Sequence, residues 1–111
     1  MEKASDFRLV FVACELYDNA IQIARILVTE KLAACCSVTN NTTSVFGWHG
    51  AIHERRETII MIKTSADQLN QMESRIKELH TDEVPEIISI TLESCSHSYL
   101  EWMKQVCQFP E

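Results

Sequence analysis

Two segments of this chain are apolar on both faces, and that limits what it can fold into. Phe7-Arg8-Leu9-Val10-Phe11-Val12-Ala13-Cys14 and Thr58-Ile59-Ile60-Met61-Ile62-Lys63-Thr64 both read as strands. A sheet covered by helices on one side alternates polar and apolar residues along each strand. These two strands do not. Something must cover the second face of any sheet they build, and another subunit is the simplest cover. An oligomer is therefore expected from the pattern alone.

The remaining elements follow from spacing. Ala20, Ile23, Ala24, Leu27 and Val28 recur at helical intervals, with Asp18 a possible N-cap and Lys31 and Leu32 closing the helix at a basic end. Ala34 to Phe46 reads as a long strand, Gly47-Trp48-His49-Gly50 as a turn and Ala51 to Thr64 as the return strand. Arms of that length are expected to project or bend. Ser65-Ala66-Asp67-Gln68 fits a capping box ahead of a helix with Leu69, Met72, Ile76 and Leu79 on one side. Pro85 bars its continuation. Ile87 to Glu93 alternates as a strand, and Ser98-Tyr99-Leu100-Glu101 is a second capping-box pattern before a last helix. The order is β-α-β-β-α-β plus a terminal helix. This is an α+β chain with a ferredoxin-like split βαβ pattern, and one domain is expected over residues 1–111.

The net charge of −6 argues against nucleic acid or an anionic membrane as partner, since both require basic patches. The mixed run His53-Glu54-Arg55-Arg56-Glu57 reads as a solvated strand start or loop. The polar start, Met1 to Asp6, has no signal-peptide pattern, and the apolar runs are too short to span a bilayer. A cytoplasmic location is the expectation. The five cysteines form no CxxC and read as small buried hydrophobes, with Cys35 and Cys36 pointing to opposite faces of one strand.

The chemistry concentrates after the second helix. His80, Asp82, Glu83 and Glu86 offer one imidazole and three carboxylates within seven residues. Imidazole suits copper and zinc, and carboxylates suit harder ions. The same residues also suit a surface turn whose acids face water and whose histidine ends the helix. His49 and His53 are four apart, which on a strand puts them on one face but ~13 Å from each other. His97 precedes a helix and reads as a turn residue.

Five segments, taken in order, resemble one family. Leu27-Val28-Thr29-Glu30-Lys31-Leu32-Ala33-Ala34-Cys35 is similar to the "LVEERLAAC" segment of the CutA divalent-cation tolerance proteins. Ser44 to Ile52 resembles their "SIYWWEGKI" hairpin, and Glu57 to Thr64 their apolar strand ending in "KT". His80 to Glu86 resembles "HPYEVPE", and Ser98 to Trp102 resembles "DYLRW". The matches span about residues 7–104. Thr81 and Asp82 replace the family's Pro and Tyr, Gly47 its first hairpin Trp, His49 its Glu and Ala51 its Lys.

The resemblance implies a ferredoxin-like homotrimer in the cytoplasm, linked to divalent-metal tolerance and to copper first. It would act by sequestration or sensing, not as an enzyme. Cys35, His80 and Glu83 are then the candidate metal ligands, with Asp82 and Glu86 behind them. Trp48 and Trp102 are expected at subunit contacts.

Three other functions compete with this one. Trimers of this fold include the PII-type signalling proteins, so Lys63 is a candidate contact for a small anionic ligand, although no glycine-rich phosphate loop is present. Catalysis would need Cys35 and His80, or Glu83 and Glu86, to assemble. A non-catalytic trimeric scaffold for protein partners is the third.

Overall fold

The computed structural model describes residues 1–107. The last positions of the expected domain, 108–111, lie outside the described residues. The elements in order are β1 (Glu2–Lys3), β2 (Phe7–Cys14), α1 (Tyr17–Thr29), β3 (Cys35–Trp48), β4 (Ala51–Ser65), a 3-10 turn (Ala66–Gln68), α2 (Leu69–Leu79), β5 (Ile87–Thr91), β6 (Ser94–Cys95) and α3 (His97–Val106). Four strands form one sheet in the order β3-β4-β2-β5, antiparallel throughout. This is the α+β, ferredoxin-like arrangement expected. The two-stranded ladder of β1 and β6 was not expected, since two-residue strands carry no readable period. No helix among the described residues is long and apolar enough to cross a membrane.

The main core lies between the sheet and two helices. Val10, Val12, Ile60 and Ile62 of the central strands meet Ala20, Ile23 and Leu27 of α1 and Met72 and Ile76 of α2. Each fully buried aliphatic side chain contributes about 1.5–3 kcal/mol. The intervening strand residues point the other way. Leu9 lies beside Ile90, and Phe11 lies between Met61 and Ile88. Ile88 and Ile90 are each 52% exposed. The apolar second face is thus a physical feature of the sheet. Among the described residues only one end of it is occupied, where α3 packs Leu100 and Met103 against Phe7 and Ala34.

Several local expectations are corrected by backbone geometry. Helix α1 begins at Tyr17, capped by extended Leu16 without a side-chain bond, so Asp18 lies inside its first turn. It ends at Thr29 with no basic residue in its last turn. Lys31 instead adopts φ 61°. The Leu32 N–H bonds to the Leu27 carbonyl at 2.8 Å and the Lys31 N–H to the Val28 carbonyl at 3.1 Å, which closes a Schellman motif. Neither capping box forms: Ser65 and Ser96 occupy the cap positions without side-chain bonds, and Ser98 lies within α3. The hairpin turn is only His49-Gly50, both at positive φ (50° and 78°), because Phe46, Gly47 and Trp48 stay paired with β4. The long arms bend at a register shift between Thr39 and Thr42, where Asn41 takes φ 63°.

Candidate functional site

Pro85 keeps residues 80–86 out of α2, and the chain returns across the sheet end that carries Ala13. His80 anchors this crossing. It is only 9% exposed. Its Nδ1 accepts the Asp82 N–H at 2.9 Å. That leaves Nε2 to carry the ring proton and donate to the Ala13 carbonyl at 2.7 Å. Both ring nitrogens therefore hold the loop in place, and a metal would have to displace one of these bonds.

The two bonds from His80 set Asp82 against Arg55 of β4. Arg55 Nη2 donates to Asp82 Oδ2 at 2.7 Å and Nη1 to Oδ1 at 3.3 Å, a two-bonded fork. The same guanidinium donates to Glu57 Oε2 at 2.6 Å and reaches Glu15 Oε2 at 3.4 Å. The hydrogen bond that Arg55 donates to Asp82 leads in pushing the Arg55 pKa further up, and burial opposes it. Glu57 is a buried carboxylate, and Arg55 is what compensates it. Behind the pair lies Cys14, fully buried. Its thiol is pushed up to about 11, first by burial and then by the charges of Asp82 and Glu57, with Arg55 opposing.

In front of the pair a cleft of about 810 Å³ opens between the hairpin arm and the crossing loop. Phe46, Trp48 and His53 line one wall, and Glu83, Val84 and Glu86 the other. His53 stacks on Phe46 with ring centroids 5.7 Å apart, and its Nε2 lies 3.3 Å from the Trp48 carbonyl oxygen. Four carboxylates reach this cleft, Glu57, Asp82, Glu83 and Glu86, against the single guanidinium of Arg55.

Cys35 lies elsewhere. It pairs with Lys63, whereas Ala13 pairs with Ile59. Four residues of β4 separate the two positions, or about 13 Å. Cys35 therefore does not join His80, Asp82, Glu83 and Glu86, and Cys35 and His80 are not assembled as a nucleophile and base. Lys63 Nζ lies 3.9 Å from Cys35 Sγ and 5.9 Å from the centre of the Tyr99 ring. Cys36 faces the opposite side, as the strand period requires, and burial leads in pushing its thiol up to about 12. Trp48 near the hairpin tip and Trp102 on α3 are 43% and 40% exposed. His49 occupies the turn with its ring edge-on to Trp48. His97 forms the first residue of α3 and contacts Glu2.

Arg55 and Glu57 escaped the sequence reading as site residues, and Cys14 was read only as a small buried hydrophobe, which it is. The mixed run 53–57 was expected to be solvated. One signal was available: Arg55 and Glu57 are two apart on a strand and must share a face.

Comparisons with known proteins agree with this fold. The family model described as CutA1 divalent ion tolerance protein matches residues 8–106. The human protein named CutA is 35% identical over 98 residues, which are 88% of this chain and 55% of that protein. The chain thus spans about half the length of that relative. The divalent-cation tolerance protein CutA of Thermus thermophilus is 31% identical over 97 residues, 87% of this chain and 94% of the relative. The crystal structure of CutA from Xylella fastidiosa superposes with a TM-score of 0.90 at 33% identity, covering 94% of this chain and all of the other.

Proposed function

Because the chain belongs to the CutA1 divalent ion tolerance family, we propose that it binds divalent metal ions in the cleft between the hairpin arm and the 80–86 loop. Copper is the ion proposed first. The protein acts in the cytoplasm by sequestration or sensing, without catalysing a reaction. One observation carries this reading: an imidazole, His53, shares a cleft with four carboxylates that only Arg55 opposes. Imidazole favours copper and zinc, and the acids draw any cation. Glu83 and Glu86 are the carboxylates left open there, while Asp82 is held by Arg55. His80 serves as the support that aims the loop, and Cys35 is a soft donor at a separate place.

The working form is a homotrimer. The apolar face built by Leu9, Phe11, Ile59, Met61, Ile88 and Ile90 supports it, because water is a poor neighbour for so continuous a surface. Trp48 and Trp102 sit half-exposed where a neighbouring copy can bury them.

Calorimetric titration of copper and zinc into the reduced protein tests the metal site. Glu83→Gln and Glu86→Gln should each weaken binding by about tenfold or more. Binding left unchanged by both, or no binding, would overturn the proposal.

A further inference from the structure

The described residues bring the donor atoms of one group of potential metal ligands within 4.8 Å of one another: Glu2, His97 and Glu101. This group lies outside the cleft. Two of its members stand one turn apart on α3, where residues four apart share a face. The third comes from β1, 95 residues away in sequence from His97. Its backbone is set by pairing: Glu2 opposes Cys95, Lys3 opposes Ser94, and the Ala4 N–H bonds to the Glu93 carbonyl at 2.9 Å. Ser96 alone separates that ladder from the helix. Strand and helix therefore fix the three side chains relative to each other.

We infer that Glu2, His97 and Glu101 form a second divalent-cation site, of the zinc class, that clamps the N-terminal strand to the last helix. Imidazole and carboxylate both bind zinc, and one imidazole with two carboxylates supplies three ligands and leaves a fourth position for water. Ligand distances of about 2.0–2.2 Å place neighbouring donors roughly 3.3–3.6 Å apart around a tetrahedral ion. His97 Nδ1 and Glu2 Oε1 already lie 2.5 Å apart, a contact that an ion would replace. All three side chains are exposed, so the remaining adjustment disturbs no packing. Glu101 Oε1 has one competing contact, Lys104 Nζ at 3.5 Å, a surface pair of little strength. The ion would close the rim of the small core that holds Ala4, Phe7, Leu100 and Met103.

The probe is zinc itself, added to the full chain and followed by calorimetry and by the histidine ring signals in NMR. The His97 ring signals should shift, and His97→Ala and Glu101→Gln should remove one binding event per chain while Glu83→Gln leaves it in place. Hydrogen exchange in residues 1–6 should slow with zinc in the natural protein and not in the variants. A zinc isotherm unchanged by both variants would overturn the inference, as would unmoved His97 signals. Failure of the cleft proposal would instead leave this event intact, so the two outcomes are distinguishable.

Discussion

Arg55 and Asp82, 27 residues apart, form a two-bonded ionic fork that ties the hairpin arm to the loop after α2. The fork closes the back of the cleft. It also keeps Asp82 from turning toward an ion, and it screens the buried Glu57 beneath it.

Removing the guanidinium should therefore cost stability well beyond one surface ion pair. Arg55→Ala leaves the Glu57 carboxylate buried without its partner. The expected loss is about 2–3 kcal/mol, below the ~3–5 of a fully buried pair because Arg55 keeps some contact with water. Asp82→Asn retains an acceptor and should lose about 1 kcal/mol. Urea denaturation at fixed protein concentration checks both.

His80→Ala should act on the loop before it acts on any metal. It strips the partner from the Asp82 N–H and from the Ala13 carbonyl. A loss of roughly 2 kcal/mol is expected for two such groups left unpaired. Faster amide exchange in residues 81–86, measured without metal, should accompany it.

Alkali should weaken the fold through its buried thiols. Below about pH 9, Cys14 and Cys36 are neutral in both the folded and the unfolded chain. Above that, the unfolded chain releases these protons while the fold retains them up to about 11 at Cys14 and about 12 at Cys36. The folded state then binds more protons, so stability falls as pH rises through this window. The urea midpoint should drop from pH 9 to 11, and Cys36→Ala should flatten the slope.

The open sheet face yields a test of assembly. Ile88 and Ile90 are half-exposed on it, so charging them costs a single chain little, within about 0.5 kcal/mol. Ile88→Lys with Ile90→Glu should nevertheless shift the proposed trimer to smaller species in sedimentation. A trimer that survives both changes would place the subunit contact elsewhere.

Lys31 offers a gain rather than a loss. It holds φ 61° at the end of α1, a region that disfavours side chains. Lys31→Gly should raise stability by about 0.5–1 kcal/mol, read as a higher melting temperature.

The fold was legible because its signals are periodic. The spacing of Ile23 and Leu27, the two-faced runs at 7–14 and 58–64, and the stop at Pro85 each depend only on near neighbours. They determined the element order, the sheet and its need for a second cover. The ends of the helices were less legible, since Lys31 closes α1 by a backbone conformation that no side-chain pattern announces. The structure divides the candidate ligands between separate places. Glu83 and Glu86 do reach a shared cleft with Asp82, because they occupy one short crossing. The removal of Cys35 to the far end of β4, the use of both His80 nitrogens as struts and the meeting of Arg55 with Asp82 were decided only by strand register and chain crossing. So was the approach of Glu2 to His97. Apart from the bond between His80 and the Asp82 N–H, these contacts join residues 27 to 95 positions apart. Local sequence carries the period of an element, whereas the partner of a side chain depends on where distant elements are packed.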